Sequence, residues 1–125
     1  MKPNFFRLRN LFAVAVLAGA FAMLALAHNR LMKTEPAAGA VLNASPSHVE
    51  MWFEEKPDLT VSKVAVQGPS GIVEMGLPHA NGEKSIAADF KGKLADGQYV
   101  VKWQTAGDDG HVSKGDFNFS VKGAH

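Results

Sequence analysis

The feature that most constrains the fold of this 125-residue chain is a repeated alternation of apolar and polar residues. From residue 28 onward, short alternating runs are separated by Gly, Pro, Asn and Asp about every ten residues, and no long run has helical spacing. This pattern is typical of an all-β sandwich with almost no helix. Seven predicted strands fit an immunoglobulin-like Greek-key sandwich or barrel. The strands are predicted at residues 30–34, 48–54, 62–67, 72–77, 85–90, 98–105 and 116–122.

The alternation also predicts the core, because successive side chains on a strand point to opposite faces. Trp52 lies on the face opposite Phe53, where it either packs against a neighbouring loop or is exposed. Turns are predicted at residues 68–71, 81–82 and 96–97 from their Gly, Pro, Asn and Asp content. The nine predicted core residues are Val49, Met51, Phe53, Tyr99, Val101, Trp103, Phe117, Phe119 and Val121.

The first 27 residues have the features of a secretory signal peptide. Three basic residues and no acid precede an unbroken apolar run over 11–24, and Ala25 and Ala27 form an A-x-A cleavage site. We therefore expect residues 1–27 to be removed and residues 28–125 to form one domain that begins with His28. The alternative is an uncleaved membrane anchor, since 11–27 is near the minimum length of a spanning helix.

Cleavage changes the charge of the protein. Three of its thirteen Lys and Arg lie in the first 27 residues, so ten basic residues face twelve acids and the formal net charge changes from +1 to −2. A nucleic-acid partner is not expected, because no basic surface remains to neutralise phosphates. The chain has no cysteine, so an exported domain would be stable without disulfides.

A candidate metal site comes from His28, Asp109 and His111. After cleavage, the α-amine and the ring Nδ1 of His28 can chelate one ion. Asp109 and His111 are two residues apart, so both side chains project to one side if that segment is extended. Three nitrogens and one carboxylate oxygen suit Cu(II), while the lack of cysteine or a Met cluster argues against a thiolate or Cu(I) centre. The alternatives are that His111 is a solvated loop residue, or that Asp108 supplies the carboxylate.

The mature chain resembles the CopC family of periplasmic copper-binding proteins along its whole length. The resemblance is carried, in order, by the His after the signal and by T-x-P-A-x-G at 34–39, P-x-x-V-x-M-x-F-x-E at 46–55, L-x-x-G-x-Y-x-V-x-W at 94–103, D-x-H at 109–111 and G-x-F-x-F-x-V at 115–121. It implies an immunoglobulin-like fold with a Cu(II) site at its rim.

Carried over by position, the resemblance implies that His28, Asp109 and His111 bind Cu(II). It also implies that Glu55 is an outer group that holds the amine or a water, with Glu54 as the alternative if the strand register differs by one. The implied protein is a periplasmic monomer without catalytic turnover. It would sequester copper for homeostasis and resistance, or pass it to an inner-membrane copper transporter of the CopD kind.

The chain departs from the family pattern at two places. Some members have a Met-rich Cu(I) loop in mid-chain, where this chain has only Met75 and His79. We therefore expect no Cu(I) site. Gly110 and Val112 make the D-x-H loop looser than in members with a proline after it. His79 is predicted to be a turn residue, His48 to pair locally, and His125 to lie at a disordered end.

Two other function classes remain open from the sequence. One is a copper-dependent oxidative enzyme, because an amino-terminal histidine also binds copper in polysaccharide monooxygenases. The other is a metal-independent immunoglobulin-like interaction module, which the fold alone does not exclude.

Overall fold

Two β-sheets face each other in the computed structural model, which describes residues 29–123. Within that range the only helical element is one turn of 3-10 helix at Leu59–Val61, capped by Asp58, whose carboxylate accepts a hydrogen bond from the Thr60 amide. The strands are β1 (Leu31–Glu35), β2 (Val41–Leu42), β3 (His48–Phe53), β4 (Lys63–Gly68), β5 (Gly71–Val73), β6 (His79–Gly82), β7 (Ser85–Asp89), β8 (Gly97–Ala106) and β9 (Val112–Val121).

One sheet has four strands in the order β1-β3-β7-β6, and the other has five in the order β2-β9-β8-β4-β5. All neighbouring strands are antiparallel except β2 and β9, which are parallel. The long hairpin of β8 and β9 pairs Gly97 with Val121 at one end and Ala106 with Val112 at the other. The predicted all-β sandwich is confirmed.

The core lies between the two sheets and contains all nine residues that the alternation predicts, each at most 9% exposed. Val66, Ile86, Ala88 and Leu94 complete it. Trp52 is half-buried on the outer face of the four-stranded sheet, where the Lys33 ammonium lies 4.3 Å from its ring centroid. Trp52 therefore contacts the neighbouring strand β1.

Four details of the predicted strands and turns are wrong. The two-residue strand β2 and the polar strand β6 were not predicted, because one is too short and the other lacks apolar alternation. Asn81 and Gly82 belong to β6, and the turn follows at residues 83–84. The strand predicted at 72–77 ends at Val73, and Met75 forms only an isolated bridge with Phe90.

The loops at one end of the sandwich bring distant parts of the chain together. β1 and β3 are antiparallel, so the start of β1 lies beside the end of β3, where Glu54 N donates to Arg30 O at 2.9 Å. The end of β8 lies at the same end of the molecule, because Ala106 O accepts a hydrogen bond from Asp58 N at 2.9 Å. No helix within residues 29–123 is long and apolar enough to cross a membrane.

Candidate metal centre

Asp109 and His111 lie in the five-residue loop between β8 and β9 and contact each other. The His111 amide donates to Asp109 Oδ1 at 3.0 Å, and His111 Nδ1 lies 3.4 Å from Asp109 Oδ2. The segment is not extended, which was the condition for the two side chains to project to one side: residues 108–109 form a turn, and Gly110 has a left-handed φ of +76°. The turn nevertheless brings the two side chains together, because Asp109 accepts a hydrogen bond from the residue two positions ahead.

The distance between these two groups is compatible with a shared metal ion. Carboxylate oxygens and imidazole nitrogens bind such ions at about 2 Å, so two donors on one ion are at most about 4 Å apart. Both side chains reach solvent, with 37% of Asp109 and 67% of His111 exposed. An ion can therefore approach the pair without opening the fold.

The start of the described chain lies beside this loop. Asn29 is only 3% exposed, and a methyl group at Gly107 would come within 3.3 Å of its Cβ. Gly107 is the first residue of the loop that carries Asp109. His28 itself lies outside the described residues, but one peptide bond joins it to Asn29.

Glu55 has its carboxylate against the loop. A methyl group at Gly107 would collide with Glu55 Oε2. The main chain of Glu54 pairs with Arg30, whereas the main chain of Glu55 pairs with the side chain of Asn29. The Glu55 carboxylate therefore lies beside the first residue of the loop that carries Asp109, and its role as an outer group of a metal centre stays a prediction.

The described residues supply only part of a metal-binding set. Between residues 29 and 123, no three His, Cys, Asp or Glu side chains come together in a group that could hold an ion. Asp109 and His111 provide two donors. The predicted ligand His28 lies outside this range.

The other histidines of the described chain lie away from this loop. His48 begins β3, where its Nδ1 lies 3.0 Å from Ser47 Oγ and its Nε2 lies 3.8 Å from Glu50 Oε1, as the expected local pairing requires. The prediction that His79 is a turn residue is wrong, because His79 begins strand β6. Met75 packs partly buried against the core. His125 lies outside the described residues.

Asn29 and Gly107 were missed by the sequence reasoning. Asn29 directly follows the predicted ligand His28. The only signal for it in the sequence is a polar residue placed just before a predicted strand. Gly107 opens the AGDDGH segment, and nothing in the sequence distinguishes it from an ordinary turn glycine.

Comparison with known proteins agrees with the fold. The family model described as the CopC domain matches residues 31–122. Protein YobA of Escherichia coli K12 is 32% identical over 99 residues, which cover 77% of this chain and 80% of that protein. The crystal structure of CopC from Methylosinus trichosporium OB3b is 28% identical and has a TM-score of 0.67, covering 76% of this chain and 94% of that one.

A second solved structure, of PcoC, a methionine-rich copper resistance protein from Escherichia coli, shares the fold. Its TM-score is 0.70 at 24% identity, and the match covers 77% of this chain and all of PcoC. The family model covers all nine strands of the sandwich, from the start of β1 to the end of β9. On these grounds, the chain belongs to the CopC family.

Proposed function

We propose that this protein is exported to the periplasm, cleaved after Ala27, and binds one Cu(II) ion. The ligands are the α-amine and ring of His28, the carboxylate of Asp109 and the imidazole of His111. Residues 28–125 form the single copper-binding domain. By this binding the protein contributes to copper homeostasis and resistance, through sequestration or delivery to an inner-membrane copper transporter.

The observation that supports this proposal most directly is the position of Asn29. Its Cβ lies against Gly107, at the start of the loop where Asp109 and His111 already contact each other. The residue that precedes Asn29 in the sequence is His28, the ligand that this proposal requires. A free amine and an imidazole on that residue would supply the nitrogens that the described chain lacks.

The charge of the surrounding residues also supports a cationic ligand. Four exposed acids, Glu54, Glu55, Asp108 and Asp109, outnumber the two exposed cations at this end of the sandwich, Arg30 and Lys56. Their combined charge raises the local concentration of cations and favours Cu(II) over Cu(I). Binding should weaken in acid, because protons compete with the metal for the amine and both imidazoles.

The burial of the aromatic residues bears on the oxidative alternative. A polysaccharide monooxygenase needs a flat exposed aromatic platform. Tyr99 and Trp103 are 3% and 9% exposed, so neither can contribute to one, and Trp52 lies beneath Lys33 on another face. Oxygen consumption in the presence of copper and ascorbate tests this alternative directly, and we expect none above the rate of free copper.

The decisive experiment compares two proteins that differ only at the amino terminus. One begins at His28 with a free α-amine, and the other carries an acetyl group on that amine, which converts it into an amide. We expect the first to bind one equivalent of Cu(II) at neutral pH and the second to bind it far more weakly, with identical far-UV circular dichroism. Equal affinities would refute the proposed ligand set.

A further inference from the structure

Asn29 makes an unusual reciprocal contact with the main chain of Glu55. Its Nδ2 donates to Glu55 O at 3.0 Å, and its Oδ1 accepts from Glu55 N at 2.9 Å. A side-chain amide has one donor and one acceptor group, as a peptide group does. The Asn29 side chain therefore bonds Glu55 as the main chain of a neighbouring strand would. Because Asn29 is only 3% exposed, its side of this part-buried contact is shielded from water.

This contact continues the pairing of β1 with β3 beyond its last main-chain bond. That last bond joins Glu54 N to Arg30 O at 2.9 Å. The Asn29 side chain then holds both polar groups of the next residue, Glu55. The chain therefore cannot swing away from β3 at residue 29 without breaking two hydrogen bonds.

Gly107 completes the arrangement from the other sheet. A Cβ at this position would overlap Glu55 Oε2 and approach Asn29 Cβ to 3.3 Å. The Glu55 carboxylate therefore occupies space that a side chain at residue 107 would fill. We call Asn29, Glu55 and Gly107 the Asn29 junction.

We propose that Asn29 is a positioning residue for copper binding: it fixes the direction of the residue before it and the orientation of Glu55, without touching the metal. This inference rests on the proposed function. A terminal residue that is free to rotate loses conformational entropy when it chelates, whereas a fixed one has lost it already on folding. The junction therefore raises copper affinity by preorganising the terminal chelate.

Three variants of the mature protein test this role. Asn29→Ala removes both hydrogen bonds to Glu55. Gly107→Ala retains the Asn29 amide that makes those bonds, displaces the flexible end of the Glu55 side chain and crowds Asn29 Cβ only slightly, and no left-handed φ opposes the substitution. Ser45→Ala is the matched control, since Ser45 Oγ accepts a hydrogen bond from Leu94 N at 2.8 Å, away from the Asn29 junction. Each change removes or shifts a contact between a side chain and a distant segment.

Four measurements distinguish positioning from simple stabilisation: Cu(II) affinity by chelator competition, the cupric EPR spectrum, amide exchange of the metal-free protein, and thermal unfolding. We expect Asn29→Ala to lower Cu(II) affinity about tenfold. This is the lower end of the loss seen when a residue that holds a metal ligand in place is replaced. Its EPR spectrum should show more than one copper species, and the Glu55 amide should exchange faster. Gly107→Ala should weaken binding with the Glu55 amide still protected, and Ser45→Ala should leave affinity and spectrum unchanged.

The outcomes separate the two proposals. If the wild-type protein binds Cu(II) and Asn29→Ala binds it equally well with the same spectrum, the positioning role is refuted and the proposed function stands. Equal weakening by Asn29→Ala and Ser45→Ala would also refute it, because stability alone would then explain the effect. If the wild-type protein beginning at His28 binds no Cu(II), both proposals are refuted.

Discussion

The indole ring of Trp103 lies directly over the Cα of Gly115, its partner in the β8–β9 register. A Cβ at Gly115 would be 2.5 Å from Trp103 Cζ2 and 2.8 Å from Cε2. Phe53, from the other sheet, packs edge-to-face against the same ring, with the two ring centroids 5.2 Å apart. Trp103 thus fills the space between the two sheets only because residue 115 has no side chain.

The Gly115→Ala substitution should therefore destabilise the protein. The added methyl group forces a rigid, buried ring to move, and such overpacking costs about 1–3 kcal/mol. Urea unfolding of the metal-free protein measures this loss. Gly92→Ala is the matched control, because nothing lies within 4 Å of a Cβ placed there. A loss of stability no larger than that of the control would show that Trp103 adjusts freely.

Tyr99 should make the fold sensitive to alkaline pH. Its hydroxyl donates to Ala95 O at 2.6 Å, and burial, followed by the negative charge of Asp96, raises the pKa of Tyr99 above its ordinary value of 10.0. The folded state thus favours the protonated phenol. Stability should be unaffected below pH 10 and should fall as pH rises through the raised pKa, because the unfolded chain ionises first.

This prediction can be measured at one residue, since the chain contains a single tyrosine. Tyrosinate absorbance gives the pKa of Tyr99 in the folded protein directly. Tyr99→Phe should lose the hydrogen bond to Ala95 and also lose part of the alkaline fall in stability. An ordinary tyrosine pKa in the native protein would contradict the expectation.

The fold was predictable wherever one face of a strand is buried. Alternation in β3, β8 and β9 identifies the inner faces because water contacts only the other face, and all nine predicted residues of these strands lie in the core. Strand β6 escapes prediction because all four of its residues are exposed and its pairing depends on β7 alone. Its position follows from tertiary context, which no local pattern contains.

The candidate site was predictable only in its chemistry. The spacing of Asp109 and His111 indicates that the two side chains can meet, but the turn that joins them depends on the left-handed conformation of Gly110. The role of Asn29 could not be inferred, because its partner Glu55 lies 26 residues away and is bonded through the main chain. Contacts between side chains and a distant backbone leave no periodic signal.

Asp109→Asn should weaken copper binding strongly without unfolding the loop. The amide oxygen of asparagine can still accept the hydrogen bond that Asp109 Oδ1 receives from the His111 amide at 3.0 Å, so the turn is retained. The anionic donor is lost. Cu(II) affinity should therefore fall by more than the roughly 10- to 100-fold that is typical when a residue that only supports a metal ligand is replaced. Chelator competition measures the change.

Asp108→Asn is the matched control for that substitution. It removes the same charge from the adjacent exposed position, so the two variants have equal net charge. We expect only a small loss, because a neighbouring exposed charge acts through water. If Asp108→Asn proved the more damaging variant, the carboxylate ligand would be Asp108, the alternative that the sequence left open.

Gly110→Ala should affect both stability and copper binding. The φ of +76° is the left-handed conformation, which costs a residue with a Cβ about 1–2 kcal/mol, and the Gly110 amide closes the turn on Gly107 O at 3.1 Å. The strained turn should relax and separate Asp109 from His111, so copper affinity should fall with stability. Gly110→Asn separates the effect of backbone conformation from the effect of side-chain size, because asparagine tolerates this φ. It should retain most of the stability and copper affinity. Equal losses for Ala and Asn would show that the loop needs space at this position and not a left-handed backbone.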